Sequence, residues 1–272
     1  MTSRRLHQNA WKTWVFSALG LCLGALPVHA ATITWKAAVN GSWSLATNWM
    51  PAQVPGSGDI AVITTSGNYD VNINGNVNVG AINLGSAARL RVNGVTLTTT
   101  TGIAVGSAAT LELNSGTLSG GGVSLNGQLS STGTSTVNVG LTTATSSTIT
   151  VGAGTLTVAD GFTNRGLLSY PASGTRNFYV TSGTLINAST GTISSATTSS
   201  LSAELINQGS ITVTAQRLDI VKSGVAHANT GSISVSGSAS VLAFDLSGST
   251  LNTSGSISVN SGCYLSVADG AF

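Results

Sequence analysis

Short runs of alternating apolar and polar residues, separated by Gly, Asn and Ser, make up most of this chain. The runs at 211–213, 233–235 and 257–259 each place Ile and Val on one face and a hydroxyl side chain on the other, as half-buried β-strands do. Gly, Asn and Ser are favoured at corners because they tolerate a left-handed backbone. No segment beyond residue 30 shows the 3.6-residue period of an amphipathic helix. The pattern therefore predicts short strands joined by tight corners.

The runs also recur at a nearly fixed interval. A phrase that opens with Asn and continues through Gly to an apolar residue returns five times, with its Asn residues 23, 20, 22 and 23 positions apart. These residues are Asn164, Asn187, Asn207, Asn229 and Asn252. Such a period is typical of solenoids, and about 22 residues are too few for a βαβ unit, which takes about 30 or more. We predict an all-β fold, a single-stranded right-handed parallel β-helix (a solenoid) of about ten coils of 20–23 residues.

The recurring Asn has a structural explanation that requires no ligand. At a tight corner, an Asn side chain hydrogen-bonds its own backbone and tolerates the left-handed region. When Asn is repeated at one position, the amides also stack from coil to coil. We therefore interpret the five Asn residues as a structural ladder.

Two early coils align without a gap, which predicts the register between them. Residues 81–98 match residues 102–119 at a spacing of 21. Arg91 and Glu112 fall at equivalent positions, each between two apolar residues that should point inward. Because stacked strands lie about 4.8 Å apart, we expect these side chains to be outward neighbours of opposite sign, contributing about 0.2–1 kcal/mol.

Residues 1–30 have the composition of a secretory signal peptide. A start with two Arg and one Lys precedes an apolar core at 14–26, and 28–30 reads Val-His-Ala, a small-x-small cleavage pattern. An uncleaved anchor is the alternative, but the core is shorter than the roughly 20 residues that span a bilayer. We expect export to a secreted or cell-surface location, with no membrane insertion of the rest of the chain.

Removing this leader changes the charge of the chain. The whole sequence has ten Lys and Arg against eight Asp and Glu, but three of the cations lie in the leader, so the remainder carries a formal charge of −1. No basic patch remains that would indicate a nucleic-acid partner. Cys263 is the one cysteine beyond the leader, which excludes an intramolecular disulfide and a thiolate metal site. We expect Cys263 to be a small buried residue.

Residues 31–63 differ in composition, because Trp35, Trp43 and Trp49 fall within fifteen positions. The first coil of a solenoid exposes an unpaired strand edge and an open apolar end. We therefore predict that 31–63 is a Trp-rich N-terminal cap and that 64–272 is the parallel β-helix. The alternative function of the three tryptophans is a platform on which a glycan stacks.

The same segment carries a motif. The three Trp are spaced Trp-x(7)-Trp-x(5)-Trp, Asn precedes the last one, and residues 54–59 read Val-Pro-Gly-Ser-Gly-Asp. This pattern of roughly thirty residues resembles the opening of large bacterial secreted or surface β-helix proteins, the autotransporter-associated and sorting-signal-bearing repeat proteins. The resemblance implies an exported, adhesin-like passenger, and it implies location and shape more than activity.

Two further segments interrupt or end the repeat. Residues 170–179, which contain Pro171 and Arg176, should form a loop or bulged corner that either binds a partner or covers a wider coil. The phrase at 156–162 returns 109 residues later at 265–272 and stops there, before the next Asn. From this we expect that the sequence is truncated and that a C-terminal barrel, anchor or sorting signal is missing.

Little of the chain has the composition of a catalytic site. His227 is the one histidine beyond the leader, and we expect it at a corner or on the surface. Acidic residues are scattered about one per coil, and the spacings of 15 and 26 between Glu204, Asp219 and Asp245 do not match the repeat. Calcium nonapeptides, zinc motifs and phosphate-binding loops are absent from the sequence. We predict no catalytic, cofactor-binding or metal-binding residues.

Three functions remain open. The first is a non-catalytic stalk or adhesin-like passenger with a glycan or a host or cell surface as its partner. The second is a polysaccharide-active β-helix enzyme, a lyase or a hydrolase. The third is an ice- or surface-binding solenoid that uses the Thr-x-Thr rows at 96–98, 148–150 and 155–157, although those rows are not in register across coils.

Overall fold

The computed structural model describes residues 30–172 and 174–268. These residues are 63% strand and 1% helix and form a parallel β-solenoid of about ten turns, which confirms the predicted fold class. The strands of the first half, in chain order, are β1 (Thr32–Trp35), β2 (Gly41–Ser42), β3 (Trp49–Met50), β4 (Ile60–Ile63), β5 (Asn68–Ile73), β6 (Val77–Leu84), β7 (Ala87–Asn93), β8 (Thr96–Val105), β9 (Thr110–Asn114), β10 (Thr117–Gly120), β11 (Val123–Leu125), β12 (Gln128–Asn138) and β13 (Leu141–Thr143). A single 3-10 turn, Ala46–Asn48, precedes β3.

The second half continues with β14 to β26. The strands are β14 (Thr148–Asn164), β15 (Leu167–Tyr170), β16 (Arg176–Asn187), β17 (Thr192–Ser195), β18 (Ser199–Asn207), β19 (Ser210–Val213), β20 (Arg217–Ile220), β21 (Ala226–Asn229), β22 (Ser232–Val235), β23 (Val241–Asp245), β24 (Thr250–Thr253), β25 (Ser256–Val259) and β26 (Tyr264–Ala268). The 17 residues of β14 bend around a whole coil, and register shifts mark the bends of the long strands.

The strands stack in three columns, which form the three faces of the solenoid. The charged face runs from β5 through β7 and β9 to β25, and the threonine face runs from the first part of β6 through β8 and β10 to β26. The ladder face runs from β1 through β4 and the second part of β6 to β24. Each coil therefore contributes one short strand to each face.

Alternation along each strand sends every second side chain into the core. The clearest example is a column of ten apolar residues in register on the charged face. They are Val71, Leu90, Leu111, Leu129, Ile149, Leu168, Ile193, Ile211, Ile233 and Ile257. The first nine are at most 2% exposed, and each fully buried side chain of this kind contributes about 1.5–3 kcal/mol.

Glycine sets the corners where coils come closest. Gly120 has a φ of +88°, and a Cβ at this position would collide with the Thr99 carbonyl of the coil before it. Both the left-handed backbone and the close approach therefore require glycine there.

The N-terminal end is covered by the chain itself. β1 pairs in parallel with β4 on one side, and on the other side it pairs antiparallel with β3, where Trp35 lies opposite Trp49. β1 and β4 thus already belong to the parallel stack. Between β1 and β4, β2 also joins the stack by pairing in parallel with β5, whereas β3 is antiparallel.

Candidate functional sites

The three tryptophans pack against one another inside the N-terminal end. The centroids of Trp35 and Trp49 are 4.9 Å apart, those of Trp43 and Trp49 are 4.8 Å apart, and both pairs meet edge to face. Trp49 Nε1 donates to the Trp43 carbonyl at 2.8 Å. The three residues are only 1–2% exposed. A stacking platform needs an exposed ring face, so the burial of all three rings contradicts the alternative of a glycan platform.

A cavity of about 360 Å³ lies beside this cluster. Its walls are formed by the chain after β2, by the loop at 54–55 and by the corner at 73–78 between β5 and β6. Its apolar lining includes Val54, Pro55 and Val77, and its polar lining includes Asn amides and one Ser. None of its ten lining residues is ionisable. Sequence reasoning missed this cavity, because its walls are far apart along the chain.

Four of the five predicted ladder residues form one buried row on the ladder face. Nδ2 of Asn164 donates to Oδ1 of Asn187 at 2.9 Å, Asn187 donates to Asn207 at 2.7 Å, and Asn207 donates to Asn229 at 2.7 Å. All four are at most 1% exposed. Each of the first three also donates to a backbone carbonyl one coil further on, that of Thr192, Ser210 or Ser232.

The prediction for Asn252 is wrong. Its backbone lies beside Ala228, its side chain is exposed, and the row instead ends where Asn229 Nδ2 donates to Thr253 Oγ1 at 3.0 Å. The N–H groups of Ser254 and Gly255 bond to the Asn229 carbonyl, as those of Thr230 and Gly231 bond to the Asn207 carbonyl, so Thr253 takes the ladder position. Compared with the phrase at 229, the fifth phrase has one extra residue between Asn and Gly.

The predicted neighbours Arg91 and Glu112 are in register, and Arg91 Nε lies 3.4 Å from Glu112 Oε1. The structure extends this pair to a network of four side chains. Arg91 Nη1 lies 3.3 Å from Asp70 Oδ2, and Arg89 Nη1 lies 3.5 Å from Glu112 Oε2. All four side chains are 21–36% exposed, so solvent screens the network, and its role is to fix register on the charged face.

His227 is a core residue, and the expectation of a corner or surface position is wrong. It is 0% exposed and lies in register beside Leu251. The backbone N–H of Leu205 donates to its Nδ1 at 3.2 Å, which leaves Nε2–H to donate to the Lys222 carbonyl at 3.3 Å. Burial lowers the pKa of His227, while the Lys222 carbonyl and Glu204 oppose this effect. A neutral imidazole locked between two backbone groups is a structural element rather than a general base.

The acidic residues remain dispersed in the fold. Glu204 accepts a hydrogen bond from Thr184 at 3.1 Å, Asp219 pairs with Arg217 at 2.6 Å, and Asp245 is exposed. Among the residues that the structure describes, no three His, Cys, Asp or Glu side chains lie close enough to hold a metal ion together. Cys263 is buried, as predicted.

Residues 170–179 are less of a loop than the sequence indicates. β15 ends at Tyr170 and β16 begins at Arg176, so the corner spans only 171–175. The Arg176 side chain points inward, is 5% exposed, and donates through Nη1 to the Val151 carbonyl at 2.9 Å. Phe178 follows it into the core. Half of the segment, Tyr170 and 176–179, is therefore strand.

On the threonine face, one outward column consists of threonines from four successive coils. Thr96, Thr117, Thr136 and Thr157 lie in register on four successive coils, all facing outward and half-buried. The rows at 96–98 and 155–157 share this face, but Thr96 aligns with Thr157, so the two rows overlap at one position only and are out of register by two residues, as predicted. The row at 148–150 lies on the charged face.

Comparison with models of protein families, with curated proteins and with solved structures finds no match. Within the described ranges, no helix has both the length and the apolar character needed to cross a membrane.

Proposed function

We propose that this chain is a non-catalytic β-solenoid that serves as the stalk or adhesin-like passenger of an exported, surface-displayed protein. The observation that carries this proposal is that its reactive side chains are engaged in the scaffold. The four ladder amides bond to one another, His227 is held between backbone groups, and the four-charge network neutralises itself across three coils.

The contacts of Ala31 support export. Its N–H donates to Oδ1 of Asp59 at 3.1 Å, and Asp59 is 7% exposed. Cleavage after Ala30 turns this amide into an α-ammonium beside a nearly buried carboxylate, an arrangement in which opposite charges favour each other. Asp59 Oδ2 also accepts from the Gly56 N–H at 2.8 Å, so the carboxylate is already positioned.

Export is tested by expressing the full chain in a bacterial host and measuring the intact mass of the exported product. We expect a mature chain that starts at Ala31. Replacing the small residue of the cleavage pattern, as in Ala30→Arg, should block processing. A product that retains residues 1–30 at full yield would contradict this part of the proposal.

The absence of catalysis is tested on pectin, alginate and chondroitin, each with and without calcium. We expect no turnover above background. Turnover that is abolished by Glu204→Ala or Asp219→Ala would overturn the proposal in favour of a polysaccharide-active enzyme. Asp245→Ala is the matched control, since Asp245 is exposed.

The threonine column favours a second candidate, binding to ice or another regular surface. Strands stack about 4.8 Å apart, so the column presents hydroxyl and methyl groups in a regular line. Thermal hysteresis measures this function. Thr136→Tyr should abolish it and Thr150→Tyr, on the charged face, should not. Zero hysteresis in the unsubstituted chain would remove the candidate.

A further inference from the structure

The residues that line the cavity beside the tryptophan cluster favour a neutral ligand. It takes its walls from three separate segments at the covered, N-terminal end of the solenoid. None of its lining residues can carry a charge. At about 360 Å³ it is at the small end of the range for ligand pockets, about 300–1,000 Å³. It therefore suits one or two small rings rather than a long chain.

The polar lining presents hydrogen-bond donors. Asn76 Oδ1 already accepts from the Thr96 N–H at 2.9 Å, and Asn74 Oδ1 accepts from Asn93 Nδ2 at 2.8 Å. These bonds fix the two amides with their oxygens toward the next coil, which leaves the NH₂ groups as the donating ends. Trp43 Nε1 is buried, so Trp43 contributes ring surface to the cavity rather than a donor.

The apolar lining is suited to a C–H surface. Val54, Pro55 and Val77 contribute aliphatic groups to the same cavity. A pyranose sugar combines an aliphatic C–H face with ring and hydroxyl oxygens at its edge. These oxygens can accept hydrogen bonds from the Asn NH₂ groups, and a neutral sugar brings no charge into a lining without counter-charges.

We propose that this cavity binds a neutral pyranose unit of a glycan. The proposal rests on the surface-displayed role above, since glycans of this kind are met outside the cell. It replaces the exposed tryptophan platform with a partly open pocket in which Trp43 supplies part of the wall.

Gly75 permits a direct test, because a Cβ at this position would meet no atom within 4 Å and its backbone is not left-handed. Gly75→Leu should therefore fill the cavity without strain. Gly140→Leu is the matched control, since Gly140 has the same open surroundings and is also not left-handed. Asn76→Asp tests the donor: it keeps the acceptor for Thr96 and removes the NH₂ group. Asn138→Asp, exposed on a later coil, is its control.

The purified full chain is titrated with neutral hexoses and their disaccharides, with the matching uronic acids and with a proline-rich peptide. We expect a neutral sugar to bind, Gly75→Leu and Asn76→Asp to weaken binding at least tenfold, and both controls to retain it. Binding by no neutral sugar, stronger binding of a uronic acid or the peptide, or equal binding by Gly75→Leu would overturn the proposal. Turnover in the polysaccharide assays would instead contradict the non-catalytic role without contradicting sugar binding in this cavity.

Discussion

The coils before and after Asn164 build the ladder face in different ways. In the earlier coils the inward position holds Leu84, Val105 and Leu125, which are in register and at most 2% exposed. In the later coils the inward position of this face holds Asn164 and its three partners. Apolar neighbours contribute nearly independently, but each amide depends on the amides beside it. The ladder face should therefore tolerate substitutions of its inward residues in the earlier coils, whereas in the later coils each inward Asn is coupled to its neighbours.

The largest effect should come from placing a charge in the apolar column of the earlier coils. Leu111 is 0% exposed and lies in register between Leu90 and Leu129. An uncompensated buried carboxylate is among the few changes that cost more than about 4 kcal/mol. We expect Leu111→Asp to abolish cooperative unfolding, measured by circular dichroism during heating. A melting temperature equal to that of Glu112→Ser would contradict the assigned faces.

Next should come a break in the coupled row of the later coils. Asn207→Leu leaves Asn187 Nδ2 without its acceptor and Asn229 Oδ1 without its donor. Each buried unsatisfied group costs about 1–3 kcal/mol, so we expect a loss of about 2–6 kcal/mol in urea unfolding. Asn252→Leu is the control, and it should change stability by less than about 0.5 kcal/mol because Asn252 is exposed. Equal losses of stability in Asn207→Leu and Asn252→Leu would indicate that Asn252 belongs to the hydrogen-bonded row.

A pH-dependent difference should follow from His227. Burial lowers the pKa of its imidazole in the folded state, so the unfolded chain binds more protons as the pH falls through the ordinary histidine pKa of about 6.5. The contribution of neutral His227 to stability should therefore be fully present above that pH. It should decrease as the pH falls further, until the folded-state pKa is reached. Protonation also removes the acceptor for the Leu205 N–H. His227→Leu should flatten the profile of melting temperature between pH 7 and 5, and an unchanged slope would contradict the assignment.

The smallest effect should come from the exposed network of the earlier coils. Glu112→Ser removes contacts at 3.4 and 3.5 Å to Arg91 and Arg89, all partly screened by solvent. We expect a loss of at most about 1 kcal/mol that shrinks further in 1 M salt. A double-mutant cycle with Arg91→Ser should give a coupling of about 0.2–1 kcal/mol. A coupling several times larger would mean that the pair does more than fix register.

The fold could be predicted from the sequence because period and alternation are local signals. The register of Arg91 with Glu112 followed from two coils of equal length. The threonine column joins single threonines from rows that are themselves out of register, so a comparison of whole rows does not predict it. Steps along the apolar column actually vary, from 18 residues between Ile193 and Ile211 to 25 between Leu168 and Ile193. The corners absorb this variation in length, so the strands stay in register although the number of residues between them differs from coil to coil.

One site residue, His227, could have been predicted from the alternation, whereas the fifth ladder position could not. Asn187 lies four residues before Gly191, and the other row members lie two before their Gly, so the spacing to Gly does not by itself indicate Thr253 rather than Asn252. His227 lies two residues before inward Asn229, so alternation alone points it into the core; it was missed because a lone His was assumed to be exposed. The cavity beside Trp43 could not be predicted, because its shape depends on how the loop at 54–55 settles against a distant corner.

The ladder also has a direction. Every amide donates toward the later coil, so the row begins at Asn164 Oδ1, which is buried without a partner among the described residues, and ends on the hydroxyl of Thr253. Each interior member thus presents one oxygen backward and one N–H forward. Duplication or deletion of a whole coil within this stretch would preserve every link, whereas an insertion that shifts one Asn would sever two. The length of this part of the rod can therefore change during evolution only in whole-coil steps.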